Sequence, residues 1–207
     1  WNKYQYNVKN DYYHQFTRNM LQINNQNTTF SEVGRFSGVE ASDWSWGALF
    51  FDMNNDGLKD LFIANGIYKD LTNQDYLRYV SNEEILQSLV TNNKVDYKKL
   101  IDIIPSNKVK NHAYINKGNL EFNRENNGLN TAGFSNGAAY GDLDNDGDLD
   151  LVVNNVNMPL FVYKNNLDTK ASNYLKVVLN GEGLNTNAVG AKVKLTTKTA
   201  TYFLEQQ

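Results

Sequence analysis

The chain has 207 residues, 41% hydrophobic and 21% charged, with a formal net charge of −3, which supplies a packed core and excludes a general nucleic-acid-binding footprint. Its longest apolar runs fall far short of the roughly 20 residues that a membrane-spanning helix needs. With no cysteine there are no disulfides and no thiolate metal ligands, while an oxidising compartment stays open.

The chain opens at Trp1 with no initiator methionine and no signal-like segment, so it is expected to be a processed or excised piece of a longer polypeptide. Asparagine and glycine are plentiful, as suits turns with positive-φ positions. The stretch "NMLQINNQNTTFSEV" (19–33) reads as two strands around an Asn-rich turn. "GALFFDMNNDGLKDLFIAN" (47–65) reads as strand, acidic loop, strand. Just ahead of it, Trp44 and Trp46 alternate, so on a strand they share a face. They could form a stacking platform for a sugar, although packing between sheets is the expected role.

Between Ile67 and Lys110 the strand alternation stops. Tyr76, Leu77, Val80, Ile85, Leu86 and Leu89 have the spacing of one helical face, and Ser81 with Glu84 has capping-box spacing, which predicts a break and restart there. "DYKKLIDII" predicts a second short helix ending before Pro105. This segment is expected to be a helical insertion that covers a blade edge, with a partner-docking surface as the alternative.

The first pattern then returns. "NHAYINKGNLEFNRE" (111–125) matches the first hairpin, and "GAAYGDLDNDGDLDLVVNN" (137–155) matches the first acidic unit at an offset of 142 − 52 = 90 residues. "SGV" and "NGL" precede the two acidic units in the same way. Each unit therefore predicts four short antiparallel strands, the pattern of a propeller blade. "PLFVYKNN" (159–166) reads as the opening strand of a further element. "NYLKVVLNG" (173–181) and "GAKVKLTT" (190–197) alternate like half-buried strands of a separate small β domain.

Written as positions one to nine, the loops are "DMNNDGLKD" (52–60) and "DLDNDGDLD" (142–150), with side-chain oxygens at one, three, five and nine and glycine at six. That spacing suits a hard cation, because the glycine permits the tight turn that lets the position-seven carbonyl join. The predicted ligands are Asp52, Asn54, Asp56, Asp60 and the Leu58 carbonyl, and then Asp142, Asp144, Asp146, Asp150 and the Asp148 carbonyl. Two carboxylates about 4 Å apart repel by roughly 4 kcal/mol at an effective dielectric near 20, so convergence without a cation is unfavourable. Ca²⁺ takes six to eight oxygens flexibly and is favoured over Mg²⁺, giving two expected calcium sites. Zinc and copper lack their usual ligands, since only His14 and His112 are present and both are expected to be structural. An EF-hand is excluded: position twelve is Ile63 or Val153, and apolar strands follow in place of a helix.

These residues resemble FG-GAP/VCBS-type repeats, the blades of integrin-α-like β-propellers, and "NYLKVVLNGEGLNTNAVGAKVKLTT" is similar to the start of an ASPIC/UnbV domain. The combination resembles surface-associated proteins of Bacteroidetes-type bacteria. The resemblance implies a mainly β fold, a partial β-propeller of two blades plus part of a third, with a helical insertion and a C-terminal fragment of a small β domain. The expected divisions are 1–66 (first blade with its calcium loop), 67–110 (insertion), 111–166 (second blade, its loop and the start of the next strand) and 167–207 (ASPIC/UnbV-like start). Two blades cannot close a ring, so the rest of a longer propeller chain is an expected partner. Asn54 replaces a common aspartate, which makes the first site the weaker by ligand charge alone.

No nucleophile elbow, phosphate loop or zinc-protease motif is found, and Asp43, Asp70, Asp75, Glu83, Glu84 and Asp96 read as scattered surface charge. The implied function is an extracytoplasmic, non-catalytic calcium module, at the cell surface, outer-membrane associated or secreted, engaging a glycan or surface protein. The alternative is an accessory or catalytic part of a polysaccharide-degrading enzyme. An RNA-binding role, sometimes attached to ASPIC/UnbV domains, has no support in the acidic balance.

Overall fold

A computed structural model describes residues 3–206 apart from 13, 15, 89, 92, 93, 96, 126, 127, 169–173 and 199, and the side chains of 86, 88, 90, 91, 94 and 95 are also outside the description. Trp1, Leu89, Asp96, Asn127 and Asn173 therefore lie outside the described residues. The fold is mainly β, in several small sheets, and among the described residues no sheet closes on itself. The chain divides into two compact units, Trp1–Ser172 and Asn173–Gln207.

The first unit begins with helix α1 (Lys3–Lys9), the hairpin β1 (Gln22–Asn24) and β2 (Phe30–Glu32), then β3 (Ser45–Phe51) and β4 (Asp60–Asn65). The insertion carries α2 (Gln74–Val80), α3 (Glu83–Ser88), β5 (Val90–Thr91), β6 (Lys94–Val95), α4 (Tyr97–Asp102) and β7 (Val109–Lys110). Strands β8 (His112–Asn116), β9 (Phe122–Arg124), β10 (Ala132–Gly133), β11 (Ser135–Gly141), β12 (Asp150–Asn155) and β13 (Phe161–Tyr163) complete it. The second unit contains the hairpin β14 (Lys192–Thr196) and β15 (Thr201–Glu205).

The strands exist where the repeat predicts them, but they pair differently. The expected four-stranded unit within 1–66 is corrected: β1 and β2 form a sheet of two, while the four-stranded sheet runs β3-β4-β8-β9. The reason lies in the two faces of β4, all six of whose residues are buried. Phe62 and Ala64 face one way and pack with Phe51, Ala113, Leu151 and Val153, so this layer is shared with the β11-β12-β13 sheet. Leu61 and Ile63 face the other way onto Val39 and Tyr114, with Leu21 packed against them. A strand covered on both faces still needs a hydrogen-bonded neighbour on each edge, and β8 supplies the second through Leu61↔Tyr114, Phe62↔Ala113 and Ile63↔His112. The segment Pro159–Asn166 is likewise corrected, since β13 pairs with β12 as the third strand of the same sheet.

The insertion leaves and rejoins this sheet through a tied base. Ile67 and Asn107 bridge, the Asp70 N–H donates to the Pro105 carbonyl (2.8 Å), and the Lys69 ammonium reaches the Ile104 carbonyl (3.1 Å). The expected break between helices is present, with different capping. Ser81 closes α2 through its hydroxyl on the Leu77 carbonyl (2.7 Å), while Asn82 caps α3 by accepting from the Glu84 N–H (2.9 Å). Neither α2 nor α4 buries a residue, so on those two helices the expected sheet-edge cover is not made. "NYLKVVLNG" forms no strand among the described residues: Leu175, Val177 and Val178 are exposed, and alternation without a hydrogen-bonded neighbour does not make a strand.

At the end of the β4–β12 core away from the acidic loops, buried asparagines turn the chain. Asn65 donates its amide to His112 Nε2 (3.1 Å) and to the Lys110 carbonyl (3.2 Å), and its N–H meets Asn111 Oδ1 (2.8 Å). Asn155 does the corresponding work with the Ser135 hydroxyl (2.7 Å) and the Pro159 carbonyl (2.9 Å). Burial pushes the His112 imidazole below its ordinary value of 6.5, and the Arg124 charge acts in the same direction. As pH falls through 6.5 the unfolded chain takes up a proton that the folded chain resists, so stability present above that value is lost below it. Urea midpoints measured between pH 8 and pH 5 should fall on the acid side, and His112→Gln should flatten that fall. An acid-side loss of equal size in the variant would remove His112 as its cause.

Candidate metal centre

Each acidic loop joins two paired strands, β3 to β4 through Phe51↔Asp60 and β11 to β12 through Gly141↔Asp150. Their backbones are twins. Position four is left-handed in both (Asn55 φ 56, Asn145 φ 62), and so is position six (Gly57 φ 89, Gly147 φ 93). A side chain at position six would be strained, which is why glycine stands there twice. In the first loop Asp52 accepts from the N–H groups of Asp56 (3.1 Å) and Gly57 (2.8 Å), and Asp56 accepts from Leu58 (2.8 Å). Such short-range carboxylate-to-backbone bonds curl the loop so that alternate side chains converge.

In the second loop Asp142, Asp144 and Asp146 each present a carboxylate oxygen within 4.8 Å of the others, and the three could hold a metal ion. In the first loop Asn54 takes the middle place, and its amide donates to Asp56 Oδ2 (2.9 Å). The position-nine carboxylates do something else. Asp60 is fully buried and accepts from the N–H of Met53 (2.9 Å) and of Asn116 at the end of β8 (2.8 Å). Asp150 accepts from the N–H of Leu143 (2.9 Å) and of Asn165, just past β13 (2.9 Å). Asp60 and Asp150 thus tie the loop to the neighbouring strand and are not part of the three-aspartate cluster. Burial pushes the Asp60 carboxyl up, the two N–H groups oppose that, and the charges of Asp56 and Asp52 add to it.

The position-seven residues differ. Leu58 leaves its side chain exposed, whereas Asp148 is fully buried and accepts from the Leu167 N–H (3.0 Å). Burial pushes the Asp148 carboxyl up, and the nearby Asp146 and Asp150 charges push the same way. Lys164, directly after β13, lays its ammonium on Asp144 Oδ2 and stands 3.5 Å from Asp146 Oδ2. That contact holds the Asp144 carboxyl below its usual range and raises Lys164 in turn.

The two loops also touch. Asn55 donates to the Gly147 carbonyl (3.2 Å) and Asn165 to the Met53 carbonyl (2.8 Å). β3 and β11 also approach closely toward their other ends, where a Cβ on Gly47 would lie 3.4 Å from the Gly137 Cα. Phe51 and Tyr140 stack nearby, with centroids 4.7 Å apart.

Trp44 precedes β3, and Trp46 lies on it where the pairing with β4 shifts register, between Ser45 and Ala48. Trp46 donates its indole N–H to the Gly66 carbonyl (2.7 Å) and is 52% exposed, while Trp44 is half-buried. Sequence reasoning missed Asn116, Asn165 and Lys164. Their signal was present as "YIN" (114–116) and "YKN" (163–165), which follow the acidic loops at one shared structural position.

An FG-GAP-like repeat family matches residues 96–153, a span that runs from α4 through β7 to β11, the second acidic loop and the first four residues of β12. No curated protein and no solved structure matches the chain.

Asp60→Ala strands two N–H groups in a buried place, a loss of about 1–3 kcal/mol for each. Urea unfolding with a chelator present should therefore show Asp60→Ala destabilised by about 2–6 kcal/mol, and Asp56→Ala, on the exposed side of the loop, far less. Equal losses for the two would mean that Asp60 is not the fastening.

Proposed function

We propose that this chain is a calcium-binding, non-catalytic module of propeller-blade sheets that works outside the cytoplasm, at a bacterial cell surface, where it engages a glycan or a partner protein. The observation that carries the reading is the pair of loops with one backbone conformation, one of which gathers three aspartates within 4.8 Å. Oxygen-only ligands on a flexible strand-to-strand turn fit Ca²⁺ better than Mg²⁺, zinc or copper. The FG-GAP-like repeat supports the propeller reading, and so does the layer shared by the β3-β4-β8-β9 and β11-β12-β13 sheets. In this reading a blade begins at β3, with the insertion inside it. Exposed apolar side chains on the strands, Trp46 and Phe50 on β3 and Val162 on β13, support further sheets of a longer propeller as partners. The β14–β15 hairpin supports an ASPIC/UnbV-like β domain in the second unit.

The location rests on calcium chemistry. Extracellular modules bind at roughly 10⁻⁴–10⁻³ M, a range that outside concentrations fill and cytosolic ones do not. No helix among the described residues is long and apolar enough to cross a membrane.

At about ten times Kd each occupied site adds roughly 1.4 kcal/mol. The melting temperature should therefore rise with millimolar calcium, fall with EDTA, and lose about half its calcium response in Asp142→Ala. A melt indifferent to both additions would remove the metal reading. A glycan array probed with the calcium-loaded chain should show binding without turnover, whereas cleavage products from a polysaccharide panel would replace the binding module with an enzyme.

A further inference from the structure

The two loops differ in charge at their ligand positions, and a residue outside both loops cancels the difference. At positions one, three and five the first loop carries Asp52, Asn54 and Asp56, a charge of −2, while the second carries Asp142, Asp144 and Asp146, a charge of −3. The pairs Leu61↔Tyr114 and Leu151↔Tyr163, with Asn116 and Asn165 each clasping a position-nine carboxylate, make Ile115 and Lys164 structurally equivalent. Beside the first loop that place is neutral. Beside the second it holds an ammonium in contact with Asp144 and 3.5 Å from Asp146, which brings the sum to −3 + 1 = −2.

We propose that Lys164 is a tethered counter-cation that sets the cation affinity of the second loop, holding it below what its three aspartates alone would give. The inference rests on the metal reading of Asp142–Asp150 and concerns its regulation. Lys164 engages Asp144 Oδ2, an oxygen that an incoming cation needs, and its side chain is 56% exposed, so the ammonium can swing into water when displaced. An ordinary exposed ion pair contributes little to stability. Here the same contact acts on binding, because the lysine and the divalent ion compete for one set of oxygens and repel each other. The lower ligand charge of the first loop, taken alone, makes it the weaker site. With Lys164 counted, the charges at positions one, three and five are matched.

The test is calcium titration by calorimetry on the 207-residue chain in an Asp52→Ala background, which leaves the second loop as the binding site. Lys164→Met should tighten calcium there by about tenfold, the effect of removing one unit charge from a divalent ion about 5 Å away in a water-like dielectric. Ile115→Lys, made in an Asp142→Ala background, should weaken the first loop by a similar factor. Melting adds a readout that a merely structural lysine would not produce. Lys164→Met should melt below its parent in EDTA, where three carboxylates lose their counter-charge, and above it in saturating calcium. Unchanged affinity in Lys164→Met, with calcium still binding to its parent, would overturn the inference and leave the metal reading standing. An absence of calcium binding in every variant and in the unmodified chain would overturn both.

Discussion

A buried carboxylate holding two backbone N–H groups organises each half of this protein. Asp60 joins the start of its own loop, at Met53, to the end of the adjacent strand β8, at Asn116. Asp150 repeats the arrangement with Leu143 and Asn165. Burying a carboxylate is costly unless its lone pairs are met, and the two N–H groups are ones that the strand ladders leave over. The bond therefore settles three things at once: the curl of the loop, the register of β4 or β12 against the following strand, and the direction in which the remaining acidic side chains point. Without it, Asp142, Asp144 and Asp146 would have no fixed scaffold on which to converge.

The strands and both loops were legible in the sequence because they rest on short-range rules. Alternation, Asn-rich turns, and oxygen at every second position around a glycine all act within about ten residues. Pairing was not legible at the same level. That β4 pairs with β8 follows from the two-sided burial of Leu61 to Ala64, a property of the assembled core. The failed strand at "NYLKVVLNG" is the converse case, with local alternation present and no neighbour to complete it. The extra residue between Ser45 and Ala48 in the pairing of β3 with β4 is likewise invisible to a count of alternate positions.

Charge was the other thing that the loop sequences carried only in part. Counting acids within nine residues ranks the second loop above the first. The count changes when Lys164 is included, which stands directly after β13 and beside the residue, Asn165, whose N–H meets Asp150. A hydrogen bond that sets register thus also decides which cation stands beside which acid. Structure and electrostatics of the loop share one cause.

Between Asn65 and Asn111 the chain leaves the sheet for 45 residues, and both ends of the detour are pinned. Asn65 meets Asn111 and His112 at one end of the strand pair, and Asp60 meets Asn116 at the other. The detour thus stands on fixed feet, with Tyr68 packed on Phe134 and β7 paired with β10. Its helices α2 and α4, which bury no residue, are the part that a different insertion could replace without touching the core.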